Sequence, residues 1–512
     1  MRRMVMQAAV IAALLGSSAP VLAAPSALLR CDGYGRRVTT GESVARGLVV
    51  LGTLGILGSA EADQPGARET GEKGIAACTE AMADQRVTGN PVRRAEVFLA
   101  RGIRQYEVGN LDAAHADAVS ALSVELPPEL KTSFDRTLGV SGLLLQAHVR
   151  HAQGKADEAE TLALAAAAKR PWGNFSIEEA LKILMLSPAV SPGEARLLDR
   201  HFQLWPGTLR ASAREAAGDW AGAAADYDVV LQARTEGDEL IEARRAAVLA
   251  LSGNTSGADA ALKAVRQRID ELATKASGTD QAAQNAAQKV ARADELVQLT
   301  RAQLALDAGK LDDVKALLGC RERWLAPAPI VARVIANAQA KLGTGGIGSL
   351  SLDPAKVIAD ALQTRVTDIS GKKRAGFMMV AWPRWEGGDV GADFGKDIAL
   401  PTPQVKQEAV RDGKAQQAGL TRAGFVDTSG EAMLVLASNL AGAKGKPAFA
   451  IIQRNSSLRL PREGLGEAFQ RWHLVYPGDA LFETQKGRAI NALDIDSEIA
   501  PMYPKPPPVA RR

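Results

Sequence analysis

The chain is poor in the residues that carry most enzyme chemistry. Its 512 residues include only five histidines and three cysteines. It has no Cys-x-x-Cys pair, which removes the commonest dithiol and zinc arrangements, and no Gly-x-Ser-x-Gly elbow for a nucleophilic serine. Gly442-Ala443-Lys444-Gly445-Lys446 has the glycine and lysine of a phosphate loop but not its Lys-Ser/Thr ending, and it follows a helix-forming run. It therefore reads as an exposed turn. Aromatic residues make up 4% of the chain and the net charge is +4. That excludes a base-stacking platform and a basic footprint, and with them a nucleic-acid partner. The apolar run Leu48 to Leu57 is too short to span a bilayer, so no transmembrane span is expected once the N-terminus is cleaved. It reads instead as packing against the first repeat.

That N-terminus has the layout of a secretory leader. Arg2 and Arg3 precede an apolar run from Val5 to Leu15, and Val21-Leu22-Ala23 supplies small residues before a cut after Ala23. The expected location is the periplasm or the exterior. Export permits disulfides. Cys31 and Cys78 flank one N-terminal segment and can pair, closing a loop worth about 4 kcal/mol in the chain-entropy account. Cys320 is then left over, and its plain reading is a small buried residue at a helix end.

Composition shifts divide the remainder. Residues 24–90 are Gly-rich and weakly periodic, ending in a helix over Gly74 to Ala83 that caps the first repeat. Residues 91–342 carry helical periodicity, interrupted at intervals by Gly-polar turns. Residues 343–349 are a Gly-rich linker. Residues 350–500 mix helix signals (Val357 to Val366, Glu431 to Lys444) with strand signals (Gly376 to Trp382, Pro447 to Arg454, Trp472 to Tyr476, Ala489 to Ile495), as in a small α+β domain. Residues 501–512 are a proline-rich basic tail.

The first hairpin of the periodic region has Gly102, the turn Gly109-Asn110, then Ala114, Ala121 and Pro127. The second has Ala147, Gly154-Lys155, Ala159, Ala166 and Pro171. The third has Ala211, Gly218-Asp219-Trp220, Ala223 and Tyr227. The fourth has Ala246, Gly253-Asn254, Ala258 and Leu262, and the fifth Ala302, Gly309-Lys310, Val314 and Leu318. Each turn glycine can supply the left-handed cap that ends a helix. The small residues let two helices approach closely. In these positions the chain resembles tetratricopeptide (TPR) repeats. The turns are unevenly spaced, and Ile269 to Leu306 reads as a polar helix long for that family. The fold expected is mainly α: a TPR-like α-hairpin solenoid followed by a small α+β domain.

The resemblance implies a protein or peptide partner held in a concave groove lined by Leu99, Ile103, Tyr106, His148, His151, Ser212 and Glu215. His148 and His151 share one helix face, but no third ligand is evident, so no metal is expected, nor any cofactor. The simpler reading makes the two histidines surface residues. Trp382, Arg384 and Trp385 form a possible second contact, with residue types favoured at binding hot spots, unless the indoles fold over their own domain. Trp472 and His473 read as core. The function expected is a non-catalytic exported scaffold. The alternatives are a structural envelope component, or a ligand receptor or enzyme around Asp389, Asp393, Asp397 and His473.

Overall fold

The computed structural model describes residues 25–33, 68–187, 190–232, 238–276, 278, 280–319, 324, 326–343, 404–408, 417–423, 429–459 and 467–502. The leader, the run Leu48 to Leu57, Cys320, the linker beyond Gly343, the elements expected over 357–382, and Trp382, Arg384, Trp385, Asp389, Asp393 and Asp397 lie outside them, as does the tail from residue 503.

The described chain is mainly helical, and its contacts divide it into two compact units that part after Leu126. The first holds α1 (Ala27–Asp32), α2 (Gly71–Ala81), α3 (Gln85–Thr88), α4 (Pro91–Glu107) and α5 (Leu111–Leu122). A Cys31–Cys78 disulfide joins α1 to α2. Asn90 caps α4 by accepting from the Arg93 N–H, with Pro91 pre-set at the first helical position.

The second unit continues with α6 (Pro128–Asp135), α7 (Leu138–Ala152), α8 (Ala156–Lys169), α9 (Asn174–Leu184), α10 (Pro192–Leu204), α11 (Leu209–Ala216), α12 (Trp220–Gln232), α13 (Glu239–Leu251), α14 (Thr255–Lys275), α15 (Gln281–Asp307), α16 (Leu311–Leu318) and α17 (Ala328–Leu342). The long helix expected over Ile269 to Leu306 is two helices. The break falls just before Asp280, which starts α15 by accepting from the Ala283 N–H at 2.7 Å.

Five turns repeat one local structure. Gly109, Gly154, Gly218, Gly253 and Gly309 have φ of 86°, 76°, 77°, 81° and 70°. Each glycine N–H donates three residues back, and the next N–H donates five back, as Asn110 to the Gln105 carbonyl and Lys310 to the Ala305 carbonyl, both 2.9 Å. This is the Schellman pattern. A Cβ at these glycines would touch nothing within 4 Å, so glycine is needed for its dihedral alone. The small residues seven before the glycine and five after it are buried in every hairpin: Gly102 and Ala114, Ala147 and Ala159, Ala211 and Ala223, Ala246 and Ala258, Ala302 and Val314. We expect Gly253→Ala to cost about 1 kcal/mol in urea unfolding and Gly253→Asn distinctly less, because Asn tolerates the left-handed region.

The C-terminal part comprises β1 (Gln404–Glu408), β2 (Gln417–Ala423), α18 (Ser429–Ala443), β3 (Ala448–Arg459), β4 (Glu467–Val475), α19 (Ala480–Thr484), β5 (Ile490–Asn491) and α20 (Ala492–Glu498). Its strands form an antiparallel sheet in the order β1-β2-β4-β3-β5, with Leu420 opposite Trp472 and Ile451 opposite Leu474. Two sequence expectations change here. Ala489 to Ile495 is a two-residue strand followed by a helix, because Asn491 caps α20 by accepting from the Leu493 N–H. The α+β part also does not build its main core alone. Leu434, Val435, Phe449, Trp472, Ile490 and Ile495 share one apolar cluster with Val140, Ala163, Leu181 and Leu198 of α7 to α10 and with Trp172 in the turn between α8 and α9.

Candidate functional site

The residues mapped to the groove are mostly interior. Leu99, Ile103, Tyr106, His148 and Glu215 are buried, and His151 and Ser212 are half-buried. As packed, the first five offer little surface to a partner. The burial of His148 corrects the simpler reading of it as a surface residue.

Ser212 and Glu215 belong to a network that ties three helices together. The Glu215 carboxylate accepts from Arg244 Nη2 at 2.6 Å and from the Tyr227 hydroxyl at 2.7 Å, while Arg244 Nη2 also donates to Ser212 Oγ at 3.0 Å. Burial, reinforced by the Glu215 charge, raises the Tyr227 pKa, so its hydroxyl stays a donor. Burial alone would lower the Arg244 pKa, but the Glu215 carboxylate outweighs it. A second pattern recurs between hairpins. Arg101 grips Asp117 through Nε at 2.9 Å and Nη2 at 2.6 Å, and Arg210 grips Asp226 at 3.0 and 2.6 Å. Each pair is sixteen residues apart and centred on its turn glycine. The pairs lock the two helices of a hairpin at one register by a bidentate bond. The repeated Arg and Asp were visible in the sequence, but nothing local marked them as partners.

The histidine pair has a different environment. His148 on α7 is buried, and burial, with His151 and Lys182 adding repulsion, lowers its pKa to about 3. Burial also lowers that of His151. On α9, Lys182 pairs with Glu179, whose carboxyl pKa is raised by burial despite that partner. On α10, His201 lies 3.5 Å from Glu178. Among the described residues no group of three His, Cys, Asp or Glu side chains is placed to hold a metal ion. Because His148 is neutral when folded and ordinary when unfolded, the unfolded chain binds the extra proton between pH 6.5 and about 3. Stability attributable to His148 is therefore complete above pH 6.5 and is lost as pH falls through that window. The expected slope is roughly 1.4 kcal/mol per pH unit. Urea unfolding of the wild type at pH 6.5 and 5.5, beside His148→Gln, checks this, and the variant should show the shallower loss.

The densest polar contacts hold the C-terminal part to the helices. Glu431, in the first turn of α18, is fully buried (0% exposed). It pairs with Arg136, lies 3.6 Å from Arg170 Nε and accepts from the Trp172 N–H at 3.3 Å. Glu498, at the end of α20, accepts from Trp172 Nε1 at 2.7 Å and pairs with Arg200. The Arg200 guanidinium stacks 5.1 Å from the Trp172 ring centre. Gln203 Nε2 donates to the Ala489 carbonyl at 2.9 Å. Sequence reasoning missed this latch, since its partners stand about 300 residues apart. Trp472 and His473 are buried, as expected of core residues.

No family model, curated protein or solved structure matches the chain. Among the described residues no helix is long and apolar enough to cross a membrane.

Proposed function

We propose that the chain is an exported, non-catalytic scaffold whose TPR-like hairpins hold a partner protein or peptide, with the C-terminal part bracing them. The observation that carries this reading is the recurrence of one Schellman turn, with the same small buried residues around it, in five hairpins. Hairpins of this kind stack by shape, and stacked arrays present extended binding surfaces. The Cys31–Cys78 disulfide supports export, because such bonds persist in oxidising compartments. The leader pattern of residues 1–23 supports it independently. Docking falls to the half-buried positions His151 and Ser212 on the first helices of their hairpins, while their buried neighbours shape those helices from within.

The test uses photo-crosslinking residues placed singly at His151 and Ser212 in the full chain expressed in its own cells. The control is Asp312, fully exposed on α16. A discrete protein adduct from the first two sites and not from the control is expected. No adduct at either site, or the same adducts at all three, would overturn the reading. The intact mass of the exported protein should begin at Ala24.

A further inference from the structure

One helix lies outside the hairpin scheme. α17 follows the fifth hairpin, runs for 15 residues, and is not one of the helices paired across the five Schellman turns. In an array of stacked hairpins each unit touches only its neighbours, so a helix that merely closed the end would meet α15 and α16. α17 meets both, and it also meets α13 and α11, the first helices of the fourth and third hairpins. It therefore runs across the first helices of three successive hairpins. Its buried residues Ile330, Val331, Val334, Ile335 and Ala338 share one apolar cluster with Ala211, Ala247 and Leu299 of those helices.

A polar contact marks the face that is covered. Asn337 Nδ2 donates to Gln303 Oε1 on α15 at 2.9 Å. Gln303 stands six residues before its turn glycine, the offset of Ile103, His148 and Ser212 in the first three hairpins. On α15, then, the position expected to meet a partner meets α17. The charged residues of α17 do not tie it down. Arg333 and Lys341 are exposed, and neither is ion-paired among the described residues. A helix of this length is marginal alone, so its order comes from its seat. We propose that α17 is a ligand carried within the chain: it fills the face formed by α11, α13 and α15, and the partner for this face is an amphipathic helix of the same pattern, which displaces it. The anchors of that pattern fall at i, i+1, i+4, i+5 and i+8, and helices seat in grooves on anchors so spaced. The seated α17 lowers the apparent affinity for the partner by the fraction of molecules whose face is open. This regulation rests on the scaffold reading above.

The experiment offers the full mature chain a fluorescein-labelled synthetic peptide spanning Pro327 to Gly343 and follows its anisotropy. The wild type should bind it weakly, because α17 already holds the seat. Val331 and Ile335 are buried, so Val331→Asp combined with Ile335→Asp unseats α17 by placing two charges where nothing compensates them. That variant should bind the peptide at least about tenfold more tightly than the wild type. A peptide carrying the same two substitutions should bind neither chain. No gain in the variant, or equal binding of the substituted peptide, would overturn the proposal. Should the variant fail to fold, amide exchange of the wild type decides. The α17 amides must exchange through a local opening, at lower urea than those of α13 and α15. Exchange of all three helices together overturns the proposal. Neither readout uses the partner. A failure here therefore leaves the crosslinking test at His151 and Ser212 untouched, and a failed crosslink leaves this result standing.

Discussion

Replacing Cys31 and Cys78 together by alanine is expected to destabilise the N-terminal unit by about 4 kcal/mol, the chain-entropy value for a loop closed across 47 residues. The figure follows from the loop length, and α1 is secured besides by the burial of Leu28 and Leu29. Six residues cannot form a stable helix alone, because the first turn fixes three residues for a single hydrogen bond. The tethers that remain when the disulfide is gone include the Glu69 N–H, which donates to the Arg30 carbonyl at 2.7 Å, and two ion pairs. Arg93 donates to Asp32 at 2.5 and 3.0 Å and to Glu96 at 2.7 Å. Burial works against the Arg93 charge, but the two carboxylates outweigh it and raise its pKa, so this pair is firm. The second pair, Arg30 to Glu80 at 2.5 Å, is on the surface and contributes little. The double variant should therefore lose more than about 10 °C in the midpoint of that unit. Its α1 amides should exchange freely while those of α4 and α5 stay protected below the midpoint. Reducing the wild type with dithiothreitol should give the same result. A midpoint unchanged on reduction would mean that α1 frays without the unit noticing, and that the loop carries no stability.

Legibility in the sequence differs by element. The five turns were readable, because only glycine takes a left-handed φ without penalty and small residues recur at fixed offsets from it. The error at Ala489 to Ile495 came from a pattern that fits two periods. Ile490, Ala492 and Leu493 suit a strand, while the buried residues Ala492, Ile495 and Ile499 follow helical spacing, and the Asn491 cap decides between them. The burial of the groove residues was not legible for another reason. Periodicity marks the apolar face of a helix without saying what covers it, and α7 is buried almost around its circumference. The latch was beyond reach, because nothing local distinguishes Glu431 from any first-turn glutamate, and its meaning depends on Arg136 and Arg170, distant in sequence. Cys31 and Cys78 were legible by count, but α1, which presents one of them, was not, since tertiary bonds rather than propensity hold it.

Glu431→Gln is expected to cost 3–5 kcal/mol, a range of about that size being usual when one partner of a buried ion pair is removed. The substitution keeps the shape and a possible bond to the Trp172 N–H, so what it removes is the charge. Two guanidinium groups, Arg136 and Arg170, with side chains only 11% and 10% exposed, then lose the Glu431 carboxylate that faces both. Position adds to the loss, because a negative charge in the first turn of α18 also complements the helix dipole. Glu498→Gln is the matched comparison. It too faces an arginine and Trp172, but its side chain is 32% exposed and water screens the pair, so a loss near 1 kcal/mol is expected. Limited proteolysis should separate the two variants: Glu431→Gln should release a fragment containing α18 to α20 at protease levels that leave Glu498→Gln intact. The cause can be checked by removing the two facing cations as well. Glu431→Leu combined with Arg136→Met and Arg170→Met should recover most of the stability, since an apolar cluster of similar volume carries no desolvation penalty. Recovery would place the cost in the uncompensated charges. A triple variant as unstable as Glu431→Gln would mean instead that the bonds themselves hold the C-terminal part in place.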